Sequence, residues 1–141
     1  MNKLFIAVCF AFFAISTSAQ VKMPQPSPTQ TIKQNFGIGE IELIYSRPSA
    51  KGRKVFGDLV PFDKIWRTGA NGATKFSITE PIEIGGKKLD TGSYVIYTIP
   101  GKDNWEIIIN KGLTNWGVDG YKETEDVTRF TVPSKKIKPA V

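Results

Sequence analysis

The chain has 141 residues, with 19 basic against 13 acidic side chains for a formal net charge of +6, one cysteine and no histidine. With no imidazole and Cys9 as the lone thiol, it cannot build a Ser-His-Asp triad, a Cys-His pair, a zinc site of ordinary type or histidine-ligated haem. A chain of this size buries roughly two-thirds of the surface its unfolded form exposes, enough for one self-sufficient core, so a single domain is expected.

Residues 1–19 read as a secretory signal: Lys3 supplies a positive start, Leu4 to Ile15 an apolar run, and Thr17-Ser18-Ala19 a small-residue cleavage site before Gln20. The run is shorter than the roughly 20 apolar residues a membrane span needs, so no transmembrane anchor is expected after cleavage, and the protein is expected to be periplasmic or secreted. Cys9 lies inside the run and not at the junction, which argues against a lipoprotein. Cleavage leaves 122 residues, with 18 basic and 13 acidic side chains, and no cysteine. No disulfide framework is then available, and packing alone must supply stability.

Residues 20–30 alternate Pro24, Pro26 and Pro28 with polar residues, a composition that favours an extended tether and cannot build a core. The β domain is expected over residues 31–132, followed by a basic solvated tail at 133–141. Within it, short β-branched and aromatic runs are broken by Gly, Pro and Asp/Asn. Ile38 to Ser46 alternates as a half-buried strand and stops before Pro48. Pro61 to Trp66 predicts one helical turn capped by Asp63. Gly85-Gly86, between Ile82/Ile84 and Leu89, predicts a tight hairpin. Gly92 to Pro100 reads as a central strand covered on both faces, and Trp105 to Asn110 as its hairpin partner across Asp103-Asn104. Leu113 to Tyr121 reads as a loop whose Trp116 and Tyr121 cover a sheet edge or core opening, and Asp126 to Val132 as a further strand. Seven or eight such strands predict an all-β fold, an antiparallel β-sandwich or irregular barrel.

Arginine, unlike lysine, is concentrated. Three of the four arginines, Arg47, Arg53 and Arg67, fall between Tyr45 and Thr74, where six cations face only Asp58 and Asp63. Guanidinium suits planar, bidentate recognition of carboxylate or phosphate, and two like charges about 8 Å apart repel by roughly 2 kcal/mol at an effective dielectric near 20. Such a cluster calls for distant carboxylates or an anionic ligand. The candidate binding residues are Arg47, Arg53, Arg67 and Asn71, with Tyr45 and Thr74 beside them. Each has an ordinary structural reading as well: Trp66 as a core anchor, Gly69 and Asn71 as turn residues, Arg67 as the partner of a core-edge carboxylate.

Other chemistries are poorly supplied. The acidic residues nearest together, Asp119, Glu123, Glu125 and Asp126, lack the spacing of a calcium loop, and no glycine-rich phosphate loop leads into a helix, so neither a metal nor a cofactor is expected. Asp58 and Asp63 could act as a carboxylate pair in a hydrolase, although both also read as turn and cap residues. No nucleic-acid partner is expected, because basic residues and aromatics do not interleave as a stacking surface.

The strings Tyr45-Ser46-Arg47-Pro48, Lys51-Gly52-Arg53, Phe56-Gly57, Leu59-Val60-Pro61 and Trp66-Arg67-Thr68-Gly69-Ala70-Asn71 with Thr74 resemble a secreted bacterial family catalogued as domain of unknown function 2911. Gly85-Gly86-Lys87, Gly92-Ser93-Tyr94, Thr98-Ile99-Pro100-Gly101, Trp105 and Trp116-Gly117 extend the resemblance over about Pro26 to Val132. It implies an exported all-β domain, brings no catalytic residues with it, and implies a further strand where this chain has its basic tail. The leading expectation is therefore a domain that binds a small anionic or polyhydroxylated, sugar-like ligand through an arginine-rich cleft. The alternatives are an envelope protein-interaction or structural module and a carboxylate-dependent hydrolase.

Overall fold

The computed structural model describes residues 23–135. The expected signal at 1–19 and most of the expected tail lie outside those residues. Eight strands run Thr29–Phe36 (β1), Gly39–Ser46 (β2), Ala70–Ile78 (β3), Ile82–Ile84 (β4), Lys87–Leu89 (β5), Gly92–Pro100 (β6), Asn104–Asn110 (β7) and Asp126–Pro133 (β8). Six of them form one antiparallel sheet in the order β1-β2-β3-β6-β7-β8, and β4 and β5 form a separate two-stranded sheet. The all-β, antiparallel expectation holds. The large sheet is open, ending on β1 and β8, and does not close into a barrel.

Alternation decides the two cores. Phe76, Ile78, Tyr94 and Ile109 project from one face of the sheet and are covered by Leu89, Ile82 and Ile84 of the β4–β5 hairpin. Ala73, Val95, Tyr97 and Ile108 project from the other, under Leu113, Val118 and Tyr121 of the β7–β8 connection and Ile65. Strand β6 is thus covered on both sides, as its continuous apolar run predicts. The hairpin turns through Gly85 and Gly86 with φ of 59° and 75°, the left-handed pair that a two-residue connection requires.

Three local expectations fail for identifiable reasons. Strand β1 begins at Thr29, inside the predicted tether, and the arm before it is docked: Pro28 O accepts from the Arg47 amide at 2.9 Å and Ser27 O from Asn71 Nδ2 at 3.3 Å. Pro61 to Trp66 forms turns and no helix, and Asp63 has φ +57°, a left-handed geometry, whereas a helix N-cap takes an extended one. Trp116 covers nothing, being 69% exposed. Tyr121 does cover a core, packing edge-on against buried Tyr97 with ring centroids 5.1 Å apart.

Candidate functional site

Residues 47–69, between β2 and β3, fold over one end of the sheet without regular secondary structure. They are anchored by an isolated bridge that hydrogen-bonds Trp66 N to Thr98 O at 2.7 Å and Thr98 N to Trp66 O at 2.9 Å, which seats the Trp66 backbone beside β6. Trp66 then packs edge-on with Phe56 and Trp105, at 5.9 and 6.3 Å between centroids. The expected core anchor is thus half-buried, belonging to an aromatic cluster apart from the two sheet cores, and it also forms part of a cavity wall.

That cavity, about 690 Å³, is the largest described. Its apolar wall includes Val55, Phe56, Val60, Ile65 and Trp66, and its polar groups include Arg53, Lys64, Arg67 and Asn71. Among the described residues no carboxylate lines it. The segment leading into β3 holds the key residues in unusual backbone: Thr68 and Asn71 have φ of 57° and 59°, and left-handed geometry in a β-branched residue stores about 1–3 kcal/mol. Thr74 braces the turn, its hydroxyl donating to Thr68 O at 2.9 Å and its amide to Arg67 O at 3.1 Å, while the Thr68 hydroxyl lies 3.1 Å from that of Thr98. The sequence flagged Thr74 as a ligand contact. In the structure it is buried and holds the backbone of Arg67 and Thr68.

The arginines separate by environment. Arg129 is fully engaged: its Nε donates to Asp126 at 2.7 Å, one terminal nitrogen to Glu106 at 3.4 Å and the other to Tyr121 Oη. The other three form no ion pair among the described residues. Arg53 donates only to backbone, to Ala50 O at 3.0 Å and Ser49 O at 2.8 Å. Arg67 has its Nε sealed from solvent with no acceptor among the described residues, and its side chain makes no hydrogen bond or ion pair there, while the residue lines the cavity. Arg47 is exposed and does not line the cavity, and Tyr45 lies on the β1–β2 pair, its hydroxyl 3.4 Å from Gln30 Oε1. Of the six residues singled out by sequence, the fold therefore brings Arg53, Arg67 and Asn71 together and leaves Arg47, Tyr45 and Thr74 outside the cavity lining. Lys64 was visible only as one more cation in the local count.

The β7–β8 connection closes the far side of the site. Buried Asn110 holds it, donating to Lys122 O at 3.0 Å and Asp126 Oδ1 at 2.7 Å and accepting from Gly112 N at 2.7 Å. Asn115 Nδ2 donates to Tyr97 Oη at 3.2 Å. Burial, reinforced by Asp126, pushes the Tyr121 hydroxyl up to about 12. This clamp places Val118 in the cavity wall and Gly117, at φ +65°, against Arg67: a Cβ at 117 would lie 3.5 Å from the terminal Nη1. Among the described residues no three His, Cys, Asp or Glu converge as metal ligands. Asp58 and Asp63 are both exposed and outside the cavity lining, so the hydrolase alternative gains no site here.

Residues 27–141 match the family described as Protein of unknown function (DUF2911). The chain belongs to that family. The match takes in all eight strands and the whole 47–69 segment. No curated protein and no solved structure matches the chain. This DUF2911 domain is thus an open, six-stranded antiparallel sheet with a two-stranded hairpin on it, and its β2–β3 connection builds a basic cavity.

Proposed function

We propose that this domain binds a small organic anion, a carboxylate or phosphate carried on an apolar body, in the cavity lined by Arg53, Lys64, Arg67 and Asn71, and that it does so as an exported protein. The observation that carries the reading is the contrast between arginines: Arg129 pairs with three carboxylates, Asp126, Glu106 and Glu123, while Arg67 is half-buried with a desolvated Nε, and among the described residues neither a partner for that Nε nor a carboxylate in the main cavity is found. Leaving a charged donor so costs about 1–3 kcal/mol or more, and a charge-assisted hydrogen bond returns about 1.5–3 kcal/mol. An anion against the guanidinium supplies the counter-charge that no carboxylate among the described residues gives it. The left-handed Thr68 and Asn71 add support, since such strain gathers where a surrounding structure holds binding groups in place. The Phe56–Trp66 wall accounts for the apolar body.

The test is calorimetric titration of the mature protein with acetate, benzoate and phenyl phosphate at two ionic strengths. The aromatic anions are expected to bind more tightly than acetate, with Arg67→Ala weakening them at least about tenfold and Arg47→Ala changing affinity less than about twofold. Equal losses from Arg47→Ala and Arg67→Ala, or no binding of any of the three anions, would show diffuse surface charge and refute the cavity as the site.

A further inference from the structure

Arg67 and Asn71 line a second depression as well. It is about 250 Å³, shares Val118 with the main cavity as well, and is completed by Trp116, Gly117 and Asp119. Its chemistry differs from that of the main cavity. Asp119 offsets the Arg67 charge there, yet forms no ion pair with it or with any other cation among the described residues. The notch is thus lined by an unpaired carboxylate, an amide and a guanidinium, acceptors and donors together with no net charge. At its rim stands Trp116, 69% exposed.

We infer that the notch is a saccharide subsite, so that the ligand is an acidic sugar: its anionic group is held from the main cavity by Arg53 and Arg67 while a pyranose ring lies in the notch against Trp116. Resting on the anion-binding reading, this identifies the ligand class. Sugar hydroxyls both donate and accept, so a neutral notch with both kinds of partner suits them better than it suits a second anion, which Asp119 would repel. A carboxylate accepting from a hydroxyl makes a charge-assisted bond, shorter and stronger than a neutral one. The indole face offers the axial C–H surface of a pyranose a flat apolar platform, which gives a reason for a large aromatic left in solvent. Asn71 has its Nδ2 engaged by Ser27 O, leaving its Oδ1 free among the described residues to accept from a ligand hydroxyl.

The experiment compares lactobionate, which carries one carboxylate and one neutral pyranose, with neutral lactose and benzoate against the mature wild type, Trp116→Ala and Asp119→Asn, by calorimetry. Both substituted side chains are exposed, so the fold is expected to survive, which unchanged thermal denaturation verifies. Lactobionate is expected to bind at least about tenfold more tightly than benzoate or lactose, and its preference over benzoate to fall about tenfold in each variant, the loss of one charge-assisted bond or stacking contact. Lactobionate no tighter than benzoate, or a preference indifferent to both substitutions, overturns the saccharide subsite while leaving the anion-binding cavity standing. Failure of benzoate and lactobionate alike overturns both.

Discussion

Replacing Arg67 with alanine should leave the domain about as stable as it was, whereas the same replacement of Arg129 should not. The half-buried Arg67 stem contributes packing worth about 1–2 kcal/mol, and deleting its unpartnered Nε relieves a desolvation penalty of about 1–3 kcal/mol. The two offset, so Arg67→Ala shifts stability by less than about 1 kcal/mol. Arg129→Ala strips the guanidinium from Asp126, whose side chain is only 8% exposed, and from Tyr121. Breaking a fully buried pair by removing one partner costs about 3–5 kcal/mol; with Arg129 itself 28% exposed, about 2–4 kcal/mol is expected. For a domain of this size about 1 kcal/mol moves Tm by roughly 4–5 °C, so thermal denaturation at neutral pH should show Arg129→Ala melting at least about 8 °C lower and Arg67→Ala within about 5 °C of wild type. Arg67→Ala melting as low as Arg129→Ala would mean that the protein itself satisfies Arg67, and the argument for a ligand anion there would collapse.

Two further substitutions and a titration probe the scaffold. Gly85 and Gly86 share left-handed φ, but a Cβ at Gly85 would collide with the Phe130 ring while one at Gly86 meets nothing within 4 Å. Gly86→Ala should then cost about 1 kcal/mol from backbone strain and Gly85→Ala about 2–4 kcal/mol from strain plus displaced packing, read as urea midpoints; equal costs would count against hairpin packing on β8. Burial and Asp126 raise the Tyr121 hydroxyl from 10.0 to about 12, so the folded state holds that proton more tightly than the unfolded state. The resulting stability, on the order of 2 kcal/mol, is fully present below pH 10 and is lost as pH rises from about 10 to 12. Urea denaturation across that range should show a steeper alkaline decline in wild type than in Tyr121→Phe, and parallel declines would refute the assignment.

Much of the sheet was legible because its inner strands carry their own periodicity. Ile41 and Leu43 of β2, Tyr94 to Tyr97 of β6, and Ile107 with Ile109 of β7 alternate or run apolar as buried strands must, and Gly85-Gly86 marks a turn that only positive φ can make. β1 was missed because Thr29–Phe36 is exposed along nearly its whole length and is a strand by virtue of backbone bonds to β2 alone. β3 was missed because it opens on Asn71-Gly72, a turn signature, where a register shift between Ile44 and Ser46 lets Ala70 pair with Ser46 and Asn71 adopt its left-handed backbone. Charge counting picked out the segment that lines the cavity yet could not sort its residues. Arg47, Arg53 and Arg67 look alike in sequence, and only the path of residues 47–69 decides that Arg47 stays outside the cavity while Lys64 enters it.

Composition and local pattern by themselves determined the all-β class, the inner strands, the absence of imidazole chemistry and the stretch in which positive charge gathers, because each of these follows from which residues are present and how they are spaced. The tertiary structure alone decided which charges go unpaired. Pairing depends on distance between residues remote in sequence: Arg129 of β8 reaches Glu106 of the neighbouring β7, whereas no acidic residue among those described comes within ion-pair range of Arg67. It also brought the β7–β8 connection, with Trp116 and Asp119, against an arginine about fifty residues earlier, a juxtaposition set by Asn110 and the strand order and by nothing local to either segment.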